Sequence, residues 1–232
     1  ITLDRADFSC SDMGPNNVLM TVSDKYGNTA TCNAVVTVRD TISPIALCTD
    51  TTVYLDVTGN VSIDSSYIDA GSSDACGIAS IVPDVTDFTC GDIGSNMIKM
   101  TVFDNSGNTD QCVSMVTVVD TIAPAAVCRD IDRYLDPTGN ISITASDIDN
   151  GSTDICGIDT MYLDKYDFTC ADIGTNSVQL TVEDINGNIS MCMATVNIID
   201  SVPPVITCPG DTTVFTEPGN CSVIVTDIDI KI

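Results

Sequence analysis

Apolar and polar residues alternate with a period of two through long stretches of the chain. Even positions read Cys112, Ser114, Val116 and Val118. The same phase returns as Cys192, Ala194, Val196 and Ile198, and earlier as Cys32, Ala34, Val36 and Val38, with odd positions variable and often polar. In the stretch just before, Ile98, Met100 and Val102 share one face while Lys99 and Thr101 take the other; Val178, Leu180 and Val182 stand likewise against Gln179 and Thr181. Such alternation predicts half-buried strands with one face on a core. Between the two stretches lie Asp104 to Asn108, Asp184 to Asn188 and Asp24 to Asn28, each with Gly at its fourth position, which predicts hairpin turns because Gly supplies the positive φ that closes a short loop. Further strands are predicted at Ala46 to Leu55, Val61 to Ile63, Gly77 to Val82 and Asp87 to Cys90. No long 3.6-residue stripe appears and β-branched residues abound, so the chain reads as all-β. Tyr54 with Tyr134, and Phe88 with Phe168, recur in register and are expected in core or corner packing.

The pattern repeats every 80 residues without insertion or deletion. Cys10, Cys90 and Cys170 share one register, Cys32, Cys112 and Cys192 a second, Cys48, Cys128 and Cys208 a third, and Cys76 with Cys156 a fourth. Residues 41–120 and 121–200 are identical at 40 of 80 positions, mainly at turns, cysteines and acidic residues. The expected organisation is the second half of a unit at 1–40, complete units at 41–120 and 121–200, and the first part of a unit at 201–232. The two ends are complementary halves. One reading makes the chain a window on a longer array; another completes the end of one copy with the start of the next, head to tail, with Cys10, Cys32, Cys208 and Cys221 bridging such a joint. Either way the expected partner is a further copy of the same unit.

Six or seven short strands in 80 residues, closed by a hairpin, fit a compact immunoglobulin-like sandwich, with a closed barrel as the alternative. The motifs Asp40 to Pro44 followed by Cys48, Ser72 to Ile78, Thr101 to Asn108, and Cys112 to Asp120 with alternating Val together resemble the hyalin repeat, over the whole chain. That resemblance implies tandem immunoglobulin-like domains of extracellular adhesive, matrix or bacterial surface proteins, and no catalytic activity. Cys90 and Cys170 depart from the commonest version of the repeat, and Cys221 looks like an alternative placement of that cysteine.

Composition narrows the function further. The chain of 232 residues carries 33 Asp plus Glu, 8 Lys plus Arg and no His, a formal charge of −25. Without His there is no Ser-His or Cys-His nucleophile pair and no His-ligated metal, and so few cations cannot neutralise a row of phosphates. Carboxylate pairs recur in every unit, whereas an active site normally occurs once per fold, so neither an enzyme nor a nucleic-acid binder is expected. No stretch reaches the 18 or more apolar residues of a membrane span.

Twelve cysteines with no C-x-x-C point to disulfides and an oxidising, extracellular compartment rather than zinc. A small all-β unit buries a modest core, which gives covalent staples a purpose. The expected pairs are Cys48–Cys112 and Cys128–Cys192, joining the first strand to the inward face of the last, with Cys76–Cys90 and Cys156–Cys170 as local bridges. In the chain-entropy model the long loop contributes about 4 kcal/mol and the short one about 3 kcal/mol. A competing scheme pairs Cys32 with Cys48 and Cys112 with Cys128 across the linkers; the inward orientation of Cys112 argues for a partner in its own core.

Many of the carboxylates solvate the surface, but some are placed to converge. In an immunoglobulin topology one pole, facing the preceding domain, gathers the loop after the second strand and the loop between the last two. Asp69 and Asp74 fall in the first loop, Asp104 and Asn108 in the second, and Asp40 closes the preceding unit. The next junction repeats the set as Asp120, Asp149, Asp154, Asp184 and Asn188. Six to eight oxygens converging on a joint suit Ca2+ better than Mg2+, so calcium-stiffened junctions are expected; the same residues equally serve as turn and loop caps.

The linkers Asp40 to Pro44, Asp120 to Pro124 and Asp200 to Pro204 are short and carry proline, which limits backbone freedom. Asp-Thr or Asp-Ser followed by an apolar residue resembles a bacterial O-glycosylation acceptor, placing sugar on Thr41, Thr121 and Ser201. Asn60, Asn140, Asn150, Asn188 and Asn220 match the N-glycosylation acceptor pattern. The expected role is a non-catalytic extracellular stalk or filament, with an adhesin that binds a surface glycan or protein through its loops as the alternative. Near-identical repeats with few exposed aromatics favour the stalk.

Overall fold

The computed structural model describes residues 1–206, 213–216 and 219. Residues 1–40 form an antiparallel sheet of β1 (Thr2–Leu3), β2 (Gly14–Ser23) and β3 (Thr29–Val38). Residues 41–120 contain β4 (Thr51–Tyr54), β5 (Asn60–Ser62), β6 (Ile78–Pro83), β7 (Asp87–Thr89), β8 (Gly94–Asp104) and β9 (Thr109–Val119). Their larger sheet runs β4-β9-β8-β6, with β4 parallel to β9 and the other pairs antiparallel, and β5 pairs β7 in a second, two-stranded sheet. Residues 121–200 reproduce this with β10 (Ile131–Tyr134), β11 (Asn140–Ser142), α1 (Ala145–Ile148), β12 (Ile158–Leu163), β13 (Asp167–Thr169), β14 (Gly174–Asp184) and β15 (Ile189–Ile199). The chain is therefore all-β with repeated sandwich units. Among the described residues no helix is long and apolar enough to cross a membrane.

The two-residue period builds each core. Ile98, Met100 and Val102 of β8 and Val116 and Val118 of β9 are buried, and close on Phe88, Ile68, Ile63 and Leu55 from the facing elements. Val178, Leu180, Val182, Val196 and Ile198 do the same around Phe168 and Ile148. Ser114, on the same inward face, is buried and donates its hydroxyl to the Thr49 carbonyl at 2.6 Å, so its polarity is satisfied. By packing, the chain divides into two units: Ile1–Ala123 together with Asp154–Gly157 and Ile185–Asn188, and Pro124–Thr153 with Ile158–Asp184 and Ile189–Ile232.

Several sequence expectations are corrected. The strand predicted over Ala46 to Leu55 is paired only at Thr51–Tyr54, with isolated bridges Ile45↔Ser73 and Cys48↔Asp69 before it. One helical turn, Ala145–Ile148, appears where no helix was expected; Thr144 and Asp147 close it with a reciprocal capping box. Tyr54 and Tyr134 stand 60% and 57% exposed, because they share the outward face of a short edge strand with Thr52 and Asp132, whereas Phe88 and Phe168 are buried.

The disulfides differ most. Cys48–Cys112 and Cys128–Cys192 tie the first paired segment of each unit to its last strand. The short bridges Cys76–Cys90 and Cys156–Cys170 do not form: Cys76 is bonded to Cys10, and Cys90 to Cys156. Strand register explains this. Ile78, two residues after Cys76, pairs with Asp104 at the end of β8, whereas Cys90 opens the turn Cys90–Asp92 just before β8 begins at Gly94. A strand of that length separates its ends by roughly 35 Å, while a disulfide spans only about 4.4–6.8 Å between Cα atoms. Each of these cysteines therefore bonds into a neighbouring repeat, 66 residues away, with Cα separations of 5.1 and 5.3 Å. Cys10, expected to bridge between chains, is thus bonded within this one. Cys32 and Cys170 are exposed free thiols, and Cys208 and Cys221 lie outside the described residues.

Phe88→Ala should destabilise the protein by about 3–5 kcal/mol, as truncation of a fully buried aromatic leaves a cavity. Tyr54→Ala should change stability by no more than about 0.5 kcal/mol. Guanidinium unfolding of the two variants checks both; equal losses would contradict the inward assignment of Phe88 and the outward one of Tyr54.

Candidate functional site

The acidic residues sort into two structural classes. In the first, an Asp opens a five-residue turn ending Gly-Asn and accepts backbone N–H groups from inside it. Asp104 Oδ1 accepts from Ser106 and Asn108 at 2.8 Å each, and its Oδ2 accepts the Asn108 amide at 2.7 Å. Asp24 makes the equivalent bonds to Tyr26 and Asn28. Asp56 with Thr58 and Asn60, and Asp136 with Thr138 and Asn140, build the same turn before β5 and β11, which the sequence reading passed over. The Gly supplies φ of 74° at Gly59 and 80° at Gly139, and a Cβ there would meet the sulfur of Cys90 or Cys170 below 3.0 Å. Glycine is required at these two turns for both backbone and space.

These bonds hold the carboxylates charged. Burial raises the Asp104 pKa, but the hydrogen bonds from Asn108, Ser106 and Gly107 outweigh it and leave the group below its ordinary value. The hydroxyl and amides of the turn likewise depress Asp56 and Asp136, and the Asn28 side chain depresses Asp24. Asp149 is pushed up by burial and pulled down further by Ser152 and Gly151, which it caps together with the neighbouring turn. Asp69 caps Ser72 in the same way, at 2.9 Å to its N–H and 2.6 Å to its hydroxyl.

In the second class, carboxylates converge. Asp40 and Asp74 approach each other beside Cys76, and Asp120 and Asp154 beside Cys156, each set with its potential ligand atoms within 4.8 Å of one another. Both sulfurs are in disulfides, so the oxygens alone remain as hard-cation ligands. Of the ten residues expected to bind calcium, these four are brought together; Asp69, Asp104 and Asp149 stay with their caps and turns, and Asp184 is buried. Asn108 reaches the joint through its amide, donating to the Asp40 and Ile42 carbonyls at 3.4 and 3.2 Å, and Asn188 donates to the Asp120 carbonyl at 3.3 Å.

The two clusters are not equivalent. Asp40 Oδ1 accepts the Ile42 N–H at 3.0 Å, but its Oδ2 is buried without a hydrogen-bond partner among the described residues. At the second cluster the corresponding oxygen of Asp120 accepts the Asn186 amide at 2.9 Å. Position 186 aligns with Ser106, which lines an open depression with Asp40, Thr41 and Arg39. Sequence reading missed Asn186, because it saw positions that match between repeats and this one differs. Thr41, Thr121 and Ser201 are all exposed.

No family model matches the chain. Over 210 residues it is 30% identical to hyalin of Strongylocentrotus purpuratus, a match that covers 83% of this chain and 17% of that protein. Among solved structures, Sidekick-1 immunoglobulin domains 1–4 align with 83% of this chain and 60% of their own at 11% identity and a TM-score of 0.40. Three immunoglobulin domains of titin align with 80% and 75% at 11% identity and a TM-score of 0.39.

Because the turn carboxylates titrate below their ordinary value of 3.8 in the folded chain, their contribution to stability is complete above that value and is lost as pH falls through the lowered one. Circular dichroism at constant ionic strength should therefore show an acid transition below about pH 4. Asp56→Asn with Asp136→Asn should make that transition shallower; an unchanged slope would separate these turns from acid stability.

Proposed function

We propose that this chain is part of a non-catalytic extracellular stalk or filament. Its working unit is the 80-residue repeat, bounded at 41–120 and 121–200, continued by further copies of itself. The observation that carries the reading is the recurrence of one bond, Cys10–Cys76 and Cys90–Cys156, at an identical spacing of 66 residues. A covalent tie from each unit into the next has little use in a set of independent binding modules, and suits an array that holds its form. Hyalin, the relative to which the chain is similar, supports an extracellular setting, as do the disulfides.

Calcium belongs to this proposal at the joints. Two carboxylates and an unpartnered buried oxygen at Asp40 and Asp74 form the kind of electron-rich site that a hard cation would complete, with Asp104 and Asn108 framing it rather than ligating. At Asp120 and Asp154 the Asn186 amide already satisfies the oxygen that would face an ion, so the second joint needs calcium less. Sugars on Thr41, Thr121 and Ser201 would coat the linkers that such a stalk exposes.

Calcium at a hundredfold its Kd should stabilise the chain by about 2.7 kcal/mol, and Asp40→Asn with Asp74→Asn should erase that gain while Asp120→Asn leaves most of it. Thermal melts with and without chelator measure this. Small-angle scattering on the same samples should give an elongated particle; a compact or freely flexing one would count against the stalk.

A further inference from the structure

The disulfides give the chain two covalent routes from one repeat to the next. The first is the ordinary one, through the linker peptide. The second leaves Cys10 for Cys76, follows the chain to Cys90, and crosses again to Cys156. Only the fourteen residues between Cys76 and Cys90 belong to this route within residues 41–120, so it bypasses the linker at residues 40–44 and the one at 120–124 altogether. Among the described residues, Cys90–Cys156 is the one bridge that joins residues before the 120–124 linker to residues after it; Cys48–Cys112 and Cys128–Cys192 each close on their own side.

The surroundings of this bridge are built for it. Cys90 and Cys156 both pack against the apolar core of residues 41–120. Ile155, beside Cys156, comes so close to Gly59 that a Cβ there would lie 3.1 Å from it, and the loop Asp154–Gly157 packs with residues 1–123 rather than with the repeat that encodes it. The bridge is part of a packed seam.

We infer that these bridges act as a second covalent load path, which keeps the array in one piece when a linker peptide is cut. Fully extended, fourteen residues reach about 50 Å. Once the 120–124 linker is cut, Cys90–Cys156 is the connection that remains, and the residues it encloses stay out of the load path. The core bonds set up a comparable short route, through the linkers, from Cys112 to Cys128. One route fails when a linker is cleaved, the other when a bridge is reduced; separation takes both. The stalk proposal bears on this only as the source of the load, since the two routes exist whatever the array supports.

The test is to place a site-specific protease sequence between Thr121 and Pro124 in the full chain, cleave it, and pull the nicked chain by its two termini in an optical trap. The nicked, oxidised chain should hold to a contour of roughly 350 Å and part when reductant is added, and denaturing electrophoresis without reductant should show one band. Cys90→Ser, nicked identically, should part at once. Separation of the nicked wild-type chain without reductant would overturn the inference, as would a nicked Cys90→Ser chain that holds. Neither outcome depends on calcium or on particle shape, so failure here is distinct from failure of the stalk.

Discussion

The core of residues 41–120 holds ten buried apolar side chains, pressed between a four-stranded sheet and a two-stranded one. A unit of this size buries a smaller fraction of its surface than a large domain does, and its first segment contributes only a four-residue strand, at Thr51–Tyr54. Cys48–Cys112 fixes that segment to the last strand, and in doing so sets where Asp40, Ile42 and the bridge Ile45↔Ser73 come to rest. The loop holding Asp74 and Cys76, the carboxylate pair at the joint and the bond to Cys10 all follow from that placement. In the chain-entropy model each of the four bridges, enclosing 64 or 66 residues, contributes about 4 kcal/mol. That is a large share of the stability of a small domain.

A charge of −25 would ordinarily work against compaction. Here much of it is fastened to the backbone. Asp24, Asp56, Asp104 and Asp136 each gather N–H groups that a tight turn leaves without partners, and the same hydrogen bonds stabilise the carboxylate. The acidic composition is therefore in large part turn chemistry, which is why so few of the carboxylates are available to converge. Where they do converge, one residue decides the outcome: Ser at position 106 leaves Asp40 with an open oxygen, and Asn at 186 closes the matching one on Asp120.

The strands at Ile98–Val102 and Cys112–Val118 and their hairpin turns were legible because a period of two and a glycine turn are local signals. So was the pairing of Cys48 with Cys112, since an inward Cys on a core strand has few partners. The pairing of Cys76 was not, because its partner Cys10 lies 66 residues away in sequence and no local pattern marks the two as neighbours. Strand register held the correction: β8 carries the chain from near Cys90 to the pole that holds Cys76, and no short bridge spans that length. Of the residues expected to converge at the joints, Asp40 comes beside Asp74 and Asp120 beside Asp154, whereas Asp69 and Asp104 cap their own turns. Asn186 could have been found only by asking where the repeats differ.

The spacing of the bridges also bears on how such a chain is made. A chain synthesised from its N-terminus displays Cys90 long before Cys156 exists, so that thiol waits while 66 further residues are added. During the wait the nearest cysteine in sequence is Cys76, and Cys76 already has its proper partner, Cys10, upstream. Bonding Cys76 backward to Cys10 withdraws that neighbour from Cys90, and Cys112, made during the wait, has its own upstream partner in Cys48. In that order of synthesis each cross-repeat bond closes onto a thiol already made in the repeat before it.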